Sequence, residues 1–116
     1  MLFRDLLKRI KEQPQELMFE DVMVLIDSMY DFHPAMFKNG PIINEAGENN
    51  GSCKLLSFGL HHHLTKEQVL HCFGQHYREV VANPDGNSHA NIRQFIQTGW
   101  DGVSFEGEPL TPKDFV

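Results

Sequence analysis

Apolar side chains recur at three- and four-residue steps along most of this chain, and proline or glycine interrupts each run after a few turns. That period is the helix's, because residues three or four apart share one face. Leu2, Phe3, Leu6, Leu7 and Ile10 form a first stripe, which predicts a helix over 2–12 that ends before Pro14. Leu17, Met18, Val22, Leu25, Ile26, Met29 and Tyr30 form a second, with Glu20 and Asp21 in the first turn and Pro34 beyond its far end. Ser52 suits the cap of a third helix with Leu55, Leu56, Leu60 and His63 facing inward. Thr65-Lys66-Glu67-Gln68 matches a capping box and opens a fourth, whose stripe is Val69, Leu70, Phe73, Tyr77, Val80 and Val81. Ser88 suits the cap of a last helix bearing Ile92, Phe95 and Ile96, with Gly99 as its left-handed terminator.

The intervening segments read as turns. Lys38-Asn39-Gly40-Pro41 breaks any helix, Ile42 and Ile43 allow a short extended piece, and Asn44 to Gly51 has the composition of an exposed loop. Asn83-Pro84-Asp85-Gly86 is a turn, since proline presets φ at the second position and glycine suits the fourth. Val103 and Phe105 alternate with polar residues before Glu106-Gly107-Glu108, which predicts a short terminal hairpin over about 102–111. The expected fold is mainly α, α+β at most: a single domain over 1–116, a bundle of about five helices with a short C-terminal β-hairpin. A chain of 116 residues suffices for one core without metal or disulfide staples.

Charge narrows the partners. The formal net charge is −6, and no Lys or Arg lies between Lys11 and Lys38, where Glu12, Glu16, Glu20, Asp21, Asp27 and Asp31 accumulate. Such a surface repels phosphate backbones and anionic lipid, so neither nucleic acid nor membrane is expected as a partner. No apolar run approaches the ~20 residues of a spanning helix. No signal-peptide pattern opens the chain, and two cysteines, Cys53 and Cys72, fit a reducing compartment.

Several groups bear chemistry. His61-His62-His63 invites a metal reading, but successive helical side chains diverge by ~100°, so the run suits a helix end better. Cys72 and His76, four apart on the expected fourth helix, share a face and are weak candidates for a metal or for a nucleophile–base pair. Cys53 near a helix N-terminus is a candidate for a lowered thiol pKa, with His89 as its best imidazole partner. The Asn44–Ser52 loop precedes a helix and offers amides to an anion, yet lacks the spacing of a P-loop and the acidic ladder of an EF-hand. Glu20, Asp27 and Asp31 read as a solvated face, and Trp100 between Gly99 and Gly102 as a core plug.

The runs AGENNGSCKLLSF (46–58) and FGQHYREVVANPDGNSHANIRQFIQTGWDGVSF (73–105), then Leu110-Thr111-Pro112, closely resemble the HopJ type III effector family, as does Phe37-Lys38-Asn39-Gly40. The resemblance carries no established activity and no catalytic residues. It implies either export through a type III system or a resident role in a bacterial cytoplasm. The apolar stripe that begins at Leu2 favours the cytoplasm over the disordered, Ser-rich start usual for type III substrates.

No complete catalytic constellation is present, and no cofactor is called for. The expected function is that of a small binding or interaction protein whose polar site lies near 44–52 and 83–93, using Asn49, Ser52, Asp85, His89 and Arg93 to hold a protein partner or a small anion. The alternative is a thiol- or metal-dependent enzyme using Cys53 or Cys72 with His76 or His89.

Overall fold

Leu6 and Ile10 bury the first apolar stripe and fix helix α1 (Phe3–Glu12), which Asp5 closes at its start by accepting the Leu2 amide at 2.8 Å. The computed structural model describes residues 1–113. After a single 3-10 turn at Pro14–Glu16 comes α2 (Phe19–Met29), with Val22, Leu25 and Ile26 in the core. Tyr30 leaves the helix at φ −136° and enters strand β1 (Tyr30–Phe32), so the second stripe ends one residue sooner than its apolar pattern suggests.

Two small antiparallel sheets follow. Strand β2 (Phe37–Asn39) turns through Gly40-Pro41 into β3 (Ile42–Asn44). Gly40 takes φ +57° at the first turn position, the placement a type II′ hairpin favours. Strands β4 (Val103–Phe105) and β5 (Leu110–Pro112) lie where a C-terminal hairpin was expected, but they do not pair with each other. β4 pairs with β2, and β5 pairs with β1, placing Phe32 opposite Leu110. Burial explains the correction. Phe105 packs over the fully buried Phe37 at 5.7 Å, and Leu110 is sealed in the core; a local hairpin would satisfy neither contact.

Helix α3 (Asn50–His61) runs through the middle of the molecule and is buried at Cys53 and Leu55 through Gly59. Packing on several sides dissolves the single stripe expected of it: Leu60 and His63 face solvent, and Phe58 takes the inner position. Gly59 lies so close beneath Trp100 and Val69 that a Cβ would stand 2.8 Å from each. Trp100 donates its indole N–H to Leu64 O at 2.9 Å and meets Phe95 edge-on at 5.0 Å, which makes it a plug of the core.

The expected fourth helix is two helices. α4 (Lys66–Cys72) starts at the capping box, with Gln68 N donating to Thr65 Oγ1 at 3.1 Å and Thr65 N to Gln68 Oε1 at 2.9 Å. Gly74, at φ +62°, then redirects the chain into α5 (Gln75–Ala82). The Asn83–Gly86 turn closes with Gly86 N donating to Asn83 O at 3.0 Å, and α6 (Ala90–Thr98) follows, ended by Gly99 at φ +57°. Among the described residues the architecture is six α-helices with two small antiparallel sheets, mainly α with some β.

Candidate ligand-binding cleft

Two helices begin in the same unusual way. The residue before α3, Asn49, and the residue before α6, His89, both take left-handed backbone angles, at φ 52° and 54°. Asn and His are among the residues that tolerate this region best. Ser52 and Ser88 are therefore not the caps. Ser52 sits inside the first turn of α3, and Ser88 uses its carbonyl to accept Arg93 Nε at 2.6 Å. Neither cap residue turns its side chain back onto its own helix. Asn49 Nδ2 donates to Asn44 Oδ1 at 2.8 Å, and His89 Nε2 meets Glu79 Oε2 at 3.0 Å. Among the described residues, no side chain caps either helix. Their first amides have no partner within the helix, and the macrodipole places partial positive charge there.

A buried asparagine network holds the two helix starts in place. Asn44 and Asn91 exchange amide hydrogen bonds at 3.0 and 3.1 Å, and Asn39 Nδ2 donates to Asn91 O and Oδ1 at 2.9 and 3.1 Å. Asn91 belongs to the first turn of α6, while Asn44 reaches Asn49 at the start of α3. The exposed loop expected from residue 44 onward thus begins with a side chain that is 2% exposed, because Asn44 ends a strand of the central sheet.

Between the two helix starts lies a cleft of about 260 Å³, lined by Asn49, Gly51 and Ser52 on one side and His89, Ala90, Asn91 and Ile92 on the other. Phe19, Phe73 and His76 form the remaining wall. Their rings make a continuous arc: Phe19 stacks on Phe73 at 6.0 Å, His76 stands edge-on to Phe19 at 5.2 Å, and His76 lies 5.0 Å from His89. Among the described residues, no carboxylate lines this cleft. Outside it, Glu20 is held below the usual carboxylate range by the Gln75 side-chain amide, which lies 2.9 Å from both oxygens.

Of the residues expected at a polar site, Asn49, Ser52 and His89 line this cleft, and Asp85 and Arg93 do not. Asp85 is exposed in its turn. Arg93 donates to the carbonyls of Asn83, Pro84 and Ser88 and so ties the 83–88 segment to α6. Gly51, Phe19, Phe73, His76 and Asn91 complete the lining without having been foreseen at this site. His76, Glu79 and His89 also present one nitrogen or oxygen each within 4.8 Å of one another, a potential metal-binding set.

The cysteine pairings do not form at this site. Cys72 and His76 fall on different helices because Gly74 divides the expected one, and neither cysteine lines the cleft. Burial pushes the Cys72 thiol up to about 12 and raises that of Cys53 as well, the opposite of the lowering expected for Cys53 near a helix start. Cys53 is 1% and Cys72 0% exposed. Native protein is accordingly expected to react with iodoacetamide at neither cysteine on the timescale of free thiol labelling, and at both in denaturant. Mass spectrometry of labelled native protein checks this, and rapid single labelling at pH 7 contradicts it.

The histidine run ends α3, as a helix-end reading expects. His62 Nε2 pairs with Tyr30 Oη at 2.8 Å, and burial, then the neighbouring His61 and His63, lower its pKa. Glu20, Asp27 and Asp31 are all exposed, as a solvated face expects, with Lys54 Nζ 2.9 Å from Asp27 Oδ1 and Asp31 the outward residue of strand β1.

The model of the HopJ type III effector protein family matches residues 3–110. A solved crystal structure of VPA0580, a protein of unknown function, is 46% identical and aligns with a TM-score of 0.92, covering 97% of this chain and 95% of that one. No curated protein matches the chain.

Proposed function

The chain belongs to the HopJ type III effector protein family, and within it we propose that this protein is a small binding protein whose ligand is an anion seated between the starts of α3 and α6. The observation that carries the reading is the pair of helix N-termini without side-chain caps that line one cleft. Backbone amides at such ends bind phosphate and carboxylate groups without needing a basic side chain, which suits a chain of net charge −6. Ser52 adds a hydroxyl and His76 an imidazole that can donate, while His89 Nε2 is engaged with Glu79. Phe19 and Phe73 supply an apolar wall for the remainder of the ligand. The small volume favours a single charged group with a short apolar body over a polymer.

Among the described residues no helix is long and apolar enough to cross a membrane. Two buried free cysteines fit a reducing setting, so we favour the bacterial cytoplasm as the place of action, with type III export as the other reading that the family suggests.

Calorimetric titration of the chain with inorganic phosphate, in buffer containing EDTA, tests the proposal. Saturable binding is expected, weakened at least ~10-fold in Ser52→Glu, which sets a carboxylate among the same amides. Absence of saturation, or equal binding by the folded variant, contradicts it.

A further inference from the structure

We propose that His76, Glu79 and His89 form a binding site for a divalent transition metal of the zinc class at the rim of this cleft. The three donor atoms lie within 4.8 Å of one another. Two imidazole nitrogens and one carboxylate oxygen are a donor set that zinc, cobalt and nickel accept readily and that calcium and magnesium, which want oxygen, do not.

The fold brings the set together from two elements. His76 and Glu79 are three apart on α5 and so share a helix face. His89 returns to that face after the Asn83–Gly86 turn, with its Nε2 3.0 Å from Glu79 Oε2 and its ring 5.0 Å from that of His76. Around a tetrahedral zinc, neighbouring donors stand ~3.3 Å apart, so an ion takes the place of the proton in the His89–Glu79 hydrogen bond with a shift of tenths of an ångström there. Closure onto His76 needs a larger side-chain movement, which half-buried rings at the cleft mouth permit.

The backbone holding His89 is braced. Arg93 grips the carbonyls of Asn83, Pro84 and Ser88, and Asn83 Nδ2 returns a hydrogen bond to Glu79 O at 3.0 Å. The backbone at His89 therefore loses little freedom when metal arrives. Three protein donors leave at least one coordination position open, as in sites where the metal itself contacts a ligand. Both histidines line the cleft, so that position adjoins the space between the helix starts. The metal site needs no anion to form, and it stands or falls apart from the binding reading above.

The test is titration of the tag-free chain with Zn²⁺ and with Co²⁺ in a non-coordinating buffer without phosphate. One equivalent of Co²⁺ is expected to bring the visible bands of a low-coordinate site. Zn²⁺ binding is expected to weaken ~100-fold in Glu79→Gln and in His89→Asn, the latter chosen because asparagine also accepts the left-handed backbone. The double variant His61→Ala/His63→Ala, which removes the exposed histidines at the end of α3, is expected to bind as the parent does. Circular dichroism confirms that each variant is folded. The proposal is overturned if the parent takes up no saturating equivalent, if Glu79→Gln and His89→Asn bind as well as the parent, or if only the α3 double variant loses binding. The phosphate titration in EDTA is independent of every one of these outcomes.

Discussion

Gly74→Ala is expected to destabilise the chain by about 4 kcal/mol, lowering the melting temperature by about 15 °C. Two effects add. The residue sits at φ 62°, ψ −130°, which only glycine occupies without strain, costing an alanine ~1–3 kcal/mol. An added Cβ would also stand 2.5 Å from Phe19 N and 2.9 Å from Leu17 O, both backbone atoms, so no side chain can simply rotate away. Relief requires moving the segment that enters α2. That segment is tied to α5 by Phe19 N donating to Gln75 Oε1 at 2.9 Å and by Arg78 donating to Leu17 O at 2.9 Å. Phe19 and Phe73 are cleft walls on either side of this contact, so ligand binding is expected to fall along with stability. Thermal unfolding followed by circular dichroism measures the first effect. A variant within about 1 kcal/mol of the parent would mean that α4 and α5 do not meet α2 as described.

The second large effect is expected at Asn91→Leu, which preserves side-chain size and removes every side-chain hydrogen bond that Asn91 makes. Asn44 Nδ2 then loses its acceptor at a site only 2% exposed, and Asn39 keeps only the Asn91 backbone carbonyl. A buried donor left without a partner costs ~1–3 kcal/mol, and the weakened bonds around it bring the expected loss to about 3 kcal/mol. Urea denaturation reads it directly. Because the penalty comes from the abandoned partner, Asn44→Leu/Asn91→Leu is expected to cost less than the sum of the two single changes. Strict additivity would show that the asparagines do not act together. The network joins strand β2, strand β3 and the starts of both α3 and α6, so its loss is expected to loosen the cleft even where the chain stays folded.

Much of the helical frame was legible because burial imposes a period. Leu6 and Ile10, Val22, Leu25 and Ile26, and Ile92 and Phe95 fall inward as their spacing predicts. The Thr65–Gln68 box and the Asn83–Gly86 turn were legible because each rests on local hydrogen bonding. The failures share a cause: each was decided by a distant neighbour. Gly74 looks tolerable inside an apolar stripe until the backbone of residues 17–19 is placed against it. Val103–Phe105 and Leu110–Pro112 resemble a hairpin until β1 and β2 offer better partners. Ser52 and Ser88 look like caps because nothing local reveals that Asn49 and His89 take left-handed angles.

The candidate site was legible in part for the same reason. Asn49, Ser52 and His89 stand next to helix starts, and the sequence marks those starts to within a few residues. Their convergence depends on Asn39, Asn44 and Asn91, three asparagines that carry no periodic signal and read individually as loop or surface residues. Asp85 and Arg93 were drawn to the site by proximity in sequence, whereas Arg93 is committed to the carbonyls of the turn beside it.

The central claim is that the first amides of α3 and α6 open onto one shared ligand space. Its most direct test is an amide-resolved nuclear magnetic resonance titration of ¹⁵N-labelled chain with inorganic phosphate in EDTA. The amides of Gly51, Ser52, Ala90 and Asn91 are predicted to shift together along one saturation curve, while those of the α3 C-terminus at His61 and His62 stay still. Shifts confined to one helix start, or largest around His61–His63, would contradict the claim.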